Sequence, residues 1–321
     1  MVKTSKASQL VNNEQDLLKL PEMTKIEHDI KAAKDRTVDY NKPYFNKAID
    51  YIKSNYNGGT IKILDIGAGN GEFAELVQDT LSVSTVCLDY ADPHLKRLRK
   101  LGFETHKIDF DKEDEVEEIS NKFAQQFDIV TAFEIVEHIF GIDDFMNLAH
   151  KVLKPGGIII ISTPNIDHFF YHLYALITGY PVGEGHHVRF FNKQRISQLL
   201  TIDGFDVVSD LSYGYGGAYH LWLYDKNQIR KIAIKAIGEI LFNLIPKSSS
   251  KKYSKLMVVA KKIDVEPLGF DQTWRELRYN KLKSNEKEQI LRRLISYRKN
   301  GLFWNMPYFK KFIDSENNKG A

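Results

Sequence analysis

The residues best placed to do chemistry are three glycines at alternate positions, which follow an apolar segment: Gly67, Gly69 and Gly71. Glycine lacks a Cβ, so it lets the backbone approach a ligand closely and adopts positive φ angles at little steric cost. The spacing differs from the Gly-x-Gly-x-x-Gly loop that binds a dinucleotide pyrophosphate. Asp65 stands just before the loop, and its carboxylate would repel a pyrophosphate but attract a cationic ligand. A glycine-rich turn of another nucleotide-binding fold is the alternative that this segment leaves open.

Acidic residues also end the next two predicted strands, where each could bind part of a nucleoside. Asp89 ends the second strand, and its carboxylate can accept hydrogen bonds from both hydroxyls of a ribose. Asp109 ends the third strand and could accept the amino group of an adenine, while Phe110 would cover the ring. An exposed aspartate at a strand end or in a turn, with no ligand, is the alternative for both acids.

A second cluster follows the fourth predicted strand and combines two carboxylates with an imidazole. Glu134, Glu137 and His138 have the spacing i, i+3 and i+4, which on a helix would place the three side chains on one face. With His187 or His186 from a later loop, they could bind a divalent metal such as Mg or Zn. Without a metal, His138 or His187 would be the candidate general base, because an imidazole titrates near neutral pH. A purely structural histidine is the alternative at either position.

These residues must be positioned by the elements between them. Short apolar segments alternate with amphipathic ones, which predicts an α/β fold with a doubly wound, mostly parallel sheet. Ligands in such folds bind at the carboxyl ends of the strands, where the candidate residues fall. The predicted strands are 61–66, 83–89, 103–108, 127–133, 157–163, 205–213 and 254–263. The predicted helices, after one that begins at Pro43, are 71–81, 93–101, 112–125, 143–153, 193–202 and 225–245.

Length and composition are those of an ordinary globular protein. The chain has 321 residues, 43% of them hydrophobic and 27% charged, and a net charge of +3 that argues against a dedicated nucleic-acid-binding protein. Its single cysteine, Cys87, excludes an internal disulfide and is expected to be buried. No apolar signal sequence or membrane-spanning segment is evident, which predicts a cytoplasmic protein. We divide the chain into an N-terminal extension (1–42), a central domain (43–264) and a helical C-terminal extension (265–321).

In combination, these motifs resemble those of the class I S-adenosylmethionine (SAM) methyltransferases over roughly residues 44–263, and especially the small-molecule O-methyltransferases of the ubiquinone-biosynthesis group. Besides the residues above, the likeness includes Leu-Lys-Pro-Gly-Gly at 153–157 and the segment 185–191. The resemblance implies a seven-stranded Rossmann-like sheet whose last strand is antiparallel. It also implies that SAM is the cofactor and that His138 and His187 are catalytic. The implied cofactor-binding residues are Asp65, Gly67, Ala68, Gly69, Gly71, Asp89, Asp109, Phe110 and Glu134.

The resemblance favours methyl transfer to a hydroxyl of a small molecule or of a glycan or lipid intermediate. An RNA 2′-O-methyltransferase with a Glu-x-x-Glu-His metal site and a non-catalytic interaction module are the alternatives; nucleic acid is not the expected partner. The aromatic segment 165–191 could form a lid over the acceptor, and the amphipathic segment 225–245 could contact a membrane surface peripherally or pack on the sheet. We expect Gly67→Val to abolish cofactor binding without unfolding the chain.

Overall fold

The computed structural model of the protein describes residues 39–40, 42–56, 58–178, 187–214, 240–246 and 248–273. Within them, the strands are β1 (Ile61–Ile66), β2 (Val83–Asp89), β3 (Glu104–Lys107), β4 (Phe127–Phe133), β5 (Leu153–Pro164), β6 (Phe205–Asp210) and β7 (Lys255–Lys262). The main helices are α1 (Pro43–Asn55), α2 (Glu72–Thr80), α3 (Asp92–Lys100), α4 (Glu113–Lys122), α5 (Ile142–Val152), α6 (Phe169–Thr178) and α7 (Lys193–Ile202).

The strands form one seven-stranded sheet in the order β3-β2-β1-β4-β5-β7-β6. The first five strands in this order run parallel to one another, whereas β7 runs antiparallel to both β5 and β6. The chain moves outward from β1 to β3 and then returns to β4 on the other side of β1. This reversal opens a crevice at the carboxyl ends of β1 and β4. The predicted doubly wound sheet and its antiparallel last strand are confirmed.

The sheet is buried on both faces, and β5 shows this most clearly. Successive side chains of a strand point to opposite faces. Ile159 and Ile161 accordingly join the hydrophobic cluster on one face, and Ile158 and Ile160 join the cluster on the other. All four are buried, as is Cys87 in β2. The helices therefore cover both faces of the sheet, and the functional groups can lie only at the strand ends.

Most predicted boundaries agree with the structure to within one residue, but one helix and two strands differ more: the helix predicted at 112–125 ends at Lys122. β5 already begins at Leu153, which pairs with the first residue of β4 before the register shifts. β6 ends at Asp210 rather than 213, and Tyr213 then forms an isolated bridge with Lys255. The predicted helix 225–245 lies outside the described residues except for 240–245, of which 240–244 are helical and 245 is a bend. Across the described part of the chain, no helix combines the length and apolar character needed to cross a bilayer.

A buried carboxyl group links the two strands at the crevice. Asp65 in β1 lies opposite Thr131 in β4, is 2% exposed, and accepts a hydrogen bond of 2.6 Å from the Thr131 hydroxyl. Burial raises the pKa of Asp65 to about 7, the hydrogen bond from Thr131 acts in the opposite direction, and the nearby carboxylates of Asp89 and Glu72 raise it further. A carboxyl group whose pKa is raised by folding destabilises the fold increasingly as the pH rises towards that pKa.

Thr131→Val should destabilise the protein by about 1–3 kcal/mol, because it removes the donor from a buried carboxyl group without changing the side-chain shape. The loss should be larger at about pH 8, where Asp65 is ionised, than at about pH 5, where it is protonated. Urea unfolding at the two pH values measures both. Thr131→Ser, which keeps the hydroxyl, is the control and should show little of this pH dependence. An equal loss at both pH values would contradict the assigned role of Thr131.

Candidate active site

The glycine loop between β1 and α2 combines two packing positions with one open position. All three glycines have positive φ angles: +73° at Gly67, +56° at Gly69 and +89° at Gly71. A Cβ at Gly67 would collide with the side chain of Ile135, and one at Gly71 would come within 2.8 Å of Leu98 Cδ2. A Cβ at Gly69 would meet no atom closer than 4.0 Å. Gly67→Val would therefore also disturb the packing against Ile135, and that this variant folds stays a prediction. Gly69 is the glycine that faces open space.

Asp89 holds this loop from the end of β2. Its carboxylate accepts hydrogen bonds of 2.8 Å from the backbone N–H of Gly69 and of 2.8 Å from that of Ala91. Nδ1 of His94 lies 3.1 Å from the same oxygen that Ala91 contacts. Asp89 is buried, yet a carboxylate offers about four lone-pair sites. It can thus fix the loop and still accept further hydrogen bonds from a ligand.

A carboxylate that the sequence analysis did not single out, that of Glu72, also lies beside the glycine loop. Glu72 at the start of α2 is 3% exposed, and its carboxylate lies beside the space above Gly69. Lys42 lies 3.4 Å from this carboxylate. Together with Asp65 and Asp89, Glu72 gives the pocket an acidic lining, which suits a ligand that carries positive charge. Its position directly after Gly71 was the available signal, but we interpreted that segment only as a helix start.

Three residues predicted to touch a cofactor have side chains engaged elsewhere. Phe110 is buried in the core, where its ring packs edge-on against Phe145 with centroids 5.4 Å apart. The side chain of Ala68 packs in a small cluster with Cys87. Asp109 is half-buried at the end of the third strand, and one of its oxygens accepts the backbone N–H of Asp111 at 3.1 Å. Of the three, Asp109 keeps a polar group at the predicted strand end.

The segment that follows β4 is a turn, so the helical arrangement considered for Glu134, Glu137 and His138 is wrong. Glu134 adopts a left-handed backbone with φ +54°, and the N–H of His138 closes the turn onto the carbonyl of Ile135 at 2.9 Å. Because a left-handed residue reverses the chain at once, Glu134 and Glu137 do not share a face as they would on a helix. The two carboxylates therefore acquire different partners.

Glu134 is paired with a lysine from the last strand. Its oxygens accept a hydrogen bond of 2.9 Å from the Ser162 hydroxyl and form an ion pair with Lys255. Burial disfavours the charge of Lys255, but Glu134 outweighs this effect and the pKa of Lys255 is raised. Sequence reasoning missed Lys255, because only the antiparallel register of β5 and β7 places it at this strand end.

Glu137 lies instead with the two histidines. Its side chain is 2% exposed and accepts a hydrogen bond of 3.0 Å from Thr163, and burial followed by the charge of Glu134 raises its pKa. One ligating atom each from Glu137, His138 and His187 lie within 4.8 Å of one another. The two imidazole rings are 4.8 Å apart and nearly perpendicular. One carboxylate and two imidazoles make a donor set that fits a divalent cation or a proton-transfer site.

The loop that carries His187 is held on this turn by backbone hydrogen bonds. The carbonyl of Glu137 accepts the N–H of Val188 at 2.9 Å and that of Arg189 at 3.2 Å. The structure thus brings together three of the four predicted ligands and assigns Glu134 to Lys255. His186, the alternative fourth ligand, lies outside the described residues.

Several known proteins are similar to this chain. Human mitochondrial ubiquinone biosynthesis O-methyltransferase is 29% identical over 190 residues, which cover 55% of this chain and 50% of the relative. The ubiquinone biosynthesis O-methyltransferase of Bartonella bacilliformis is 27% identical over 173 residues, covering 52% and 68%. The chain thus spans about half the length of its human relative. The crystal structure of a SAM dependent methyltransferase from Archaeoglobus fulgidus aligns with 73% of this chain and 99% of its own, at 20% identity and a TM-score of 0.48.

The family match covers the part of the chain that builds the site. A family model described as a methyltransferase domain matches residues 28–210, which is more than half of the 321 residues. The match begins within the segment 1–42 that we assigned to an N-terminal extension, and it ends with the last residue of β6. It includes the glycine loop, Asp89, and the cluster of Glu137, His138 and His187. The chain therefore belongs to the methyltransferase domain family.

Proposed function

We propose that the protein is a SAM-dependent O-methyltransferase that methylates a hydroxyl of a small molecule or of a lipid- or glycan-linked intermediate. The observation that carries this proposal is the open space above Gly69, which lies among the carboxylates of Asp65, Glu72 and Asp89 at the carboxyl ends of β1 and β2. SAM carries a sulfonium and an ammonium but no phosphate. An acidic cradle therefore favours this donor and disfavours a dinucleotide.

The cofactor contacts follow from the strand ends. The loop 67–71 would lie against the donor, Asp89 would accept hydrogen bonds from the ribose hydroxyls, and Asp109 would accept the adenine amino group. Phe110 and Glu134 would contribute mainly through their backbone, because Phe145 and Lys255 already engage their side chains. Asp65 is almost fully buried with a pKa raised to about 7, so a positively charged donor nearby would favour its ionised form.

The reaction would be an in-line displacement. The acceptor oxygen forms a bond to the methyl carbon, the bond between that carbon and sulfur breaks, and neutral S-adenosylhomocysteine leaves. The hydroxyl proton passes to an imidazole of His138 or His187, which lie together at the end of β4. The donor is already activated by its own positive charge, so the protein has to orient the two reactants and accept one proton.

If a divalent cation is bound instead, Glu137, His138 and His187 would hold it, and the coordinating imidazole nitrogens would then not accept the proton. Their mixed carboxylate and imidazole donors fit zinc better than magnesium, which prefers oxygen ligands. Glu134 is no longer part of the ligand set, because Ser162 and Lys255 occupy its oxygens. When bound, such a cation lowers the pKa of a coordinated hydroxyl.

An apolar acceptor is supported by the surface near the histidines. Phe140, Val188 and Phe190 are 55%, 38% and 47% exposed, although apolar side chains of this size are usually buried. Phe190 lies beside His187, with ring centroids 6.2 Å apart. The two named relatives are ubiquinone biosynthesis O-methyltransferases, which supports transfer to oxygen on a small or lipid-like molecule.

Other predictions from the sequence concern a membrane contact, the cellular location, a lid and two alternative functions. Exposed Ile240, Leu241 and Leu244 support peripheral contact of the segment 225–245 with a membrane that presents a lipid-linked acceptor. The cytoplasmic location and the aromatic lid stay predictions. No observation favours the RNA 2′-O-methyltransferase, and the open glycine loop and its acidic surroundings count against a non-catalytic module.

Gly69→Val should weaken S-adenosylhomocysteine binding by more than about 100-fold, because its branched side chain fills the space that the donor needs. A left-handed valine costs only about 1–2 kcal/mol, so the chain should still fold. Gly102→Val is the matched control, because Gly102 has φ +89° with no atom within 4 Å of its Cβ position. Isothermal titration should show normal binding for this control. Normal binding by Gly69→Val would exclude the loop as the donor site.

Asp89→Ala should weaken S-adenosylhomocysteine binding by about 1–3 kcal/mol, which is the cost of losing hydrogen bonds to a charged acceptor. Asp92→Ala is the control, since Asp92 is exposed and pairs with Lys107 on the surface. Titration calorimetry of both variants compares the two losses. Equal affinities for Asp89→Ala and the wild type would remove Asp89 from the ribose site.

His187→Asn should lower kcat by about 100-fold or more, with S-adenosylhomocysteine affinity unchanged, because it removes a proton acceptor but leaves the glycine loop intact. The assay follows transfer from labelled SAM to a catechol with and without an isoprenoid tail, and to a short RNA as a negative acceptor. His106→Asn, which changes a histidine that pairs with Glu104 near the surface, is the control.

The same assay tests the cation and the class of acceptor. Activity that survives both exhaustive chelation and Glu137→Ala would exclude a role for the cation. Transfer to RNA alone would overturn the small-molecule proposal.

A further inference from the structure

Residues beyond the sheet pack against the domain close to the candidate active site. We call residues 264–273 the C-terminal strap. The N–H of Leu268 donates to the carbonyl of Ile202 at 3.2 Å, and that of Gly269 donates to the carboxylate of Asp203 at 2.9 Å. Phe270 is 2% exposed. The strap therefore has fixed contacts with the domain, although it follows the last strand and lies outside the residues that match the family.

The strap is also fixed from α5. The carboxylate of Asp143 accepts the backbone N–H of Asp271 at 2.8 Å and that of Gln272 at 2.9 Å. Residues 270–273 are helical, so these are N–H groups at the start of a helical turn, which lack partners within the helix. The guanidinium of Arg195 lies 4.3 Å from the ring centroid of Phe270. These contacts set the position of Asp271.

From that position, Asp271 binds the loop that carries His187 through the side chain of Arg189. Its two oxygens accept hydrogen bonds from Nη1 and Nη2 of Arg189 at 3.1 and 2.5 Å, in the bidentate geometry that gives a guanidinium its strongest pairs. The same guanidinium donates to the carbonyls of Ile139 at 3.2 Å and Phe140 at 2.8 Å. One side chain thus joins the strap to the segment directly after His138.

We propose that Asp271 is a positioning residue for methyl transfer: it orients Arg189, which holds the His187 loop against the turn of Glu137 and His138. This inference rests on the proposed function of those histidines. The sheet is complete at β7, and every contact of Arg189 described above joins the strap or the turn to the loop. Phe270 contributes to the main core, whereas Asp271 reaches the site through Arg189, so the inference concerns Asp271 and not the strap as a whole. Misplacing a catalytic group by about 1 Å is enough to cost about 100-fold in rate.

The test compares Asp271→Asn with Asp271→Glu. Asp271→Asn removes the negative charge and one of the two oxygens that accept the paired hydrogen bonds of Arg189. It should lower kcat at least about tenfold. The affinity for S-adenosylhomocysteine and the thermal midpoint of unfolding should stay near the wild-type values. Asp271→Glu keeps both oxygens and should restore most of kcat. Lys154→Met is the matched control, because its partly exposed ion pair with Asp128 lies at the amino ends of β4 and β5, whereas the site lies at the carboxyl end of β4. It should leave kcat unchanged.

A second measurement tests whether Asp271 stabilises the His187 loop and does not require an activity assay. Hydrogen exchange at the amides of Val188 and Arg189, which donate to the carbonyl of Glu137, should become faster in Asp271→Asn and stay normal in Lys154→Met. If Asp271→Asn does not fold, Arg189→Lys serves instead, since lysine keeps the charge but cannot form the paired hydrogen bonds. Unchanged exchange, or unchanged kcat despite faster exchange, would overturn the proposal. A wild-type protein that binds S-adenosylhomocysteine but transfers no methyl group would instead refute the proposed function, and the exchange result would still stand.

Discussion

A carboxyl group buried between β1 and β4 constrains the chemistry of the whole crevice. Asp65 cannot reach water, and one hydroxyl, that of Thr131, compensates only part of the cost of burying its charge. Asp89 and Glu72 add two more carboxylates around the same loop. Burial therefore raises the pKa of Asp65 to about 7, and a cationic ligand beside it would favour the ionised form. The carboxylates would instead repel a ligand with phosphates, so the lining of the loop favours a cationic ligand before any specific hydrogen bond forms.

At the other side of the crevice, the backbone conformation gives the carboxylates of Glu134 and Glu137 different partners. The left-handed conformation of Glu134 turns the chain immediately after β4, so Glu134 meets Lys255 while Glu137 meets the imidazoles. A lysine thus neutralises one acid and leaves the other close to the reacting groups. The lysine comes from β7 and His187 from the loop before α7, which makes this end of the site depend on segments that are distant in sequence.

Local signals were enough to predict the frame but not the partners. The strands, the glycine loop and Asp89 follow from short runs of residues, because apolar periodicity and glycine spacing are local properties. Glu134 and Lys255, by contrast, are 121 positions apart, and Arg189 and Asp271 are 82 apart, so the register of the folded chain alone brings them together. The burial of Phe110 and the turn at Glu134 were missed for a related reason: a side chain's spacing does not reveal which way the backbone leaves a strand.

The antiparallel placement of β7 has a consequence for how the protein is made. The ammonium that neutralises Glu134 comes from this strand, which enters the sheet between β5 and β6. During synthesis the glycine loop emerges from the ribosome early, whereas Lys255 and the C-terminal strap emerge only after nearly the whole domain. In a nascent chain the loop could therefore form well before the end of the site at β4, which is completed last.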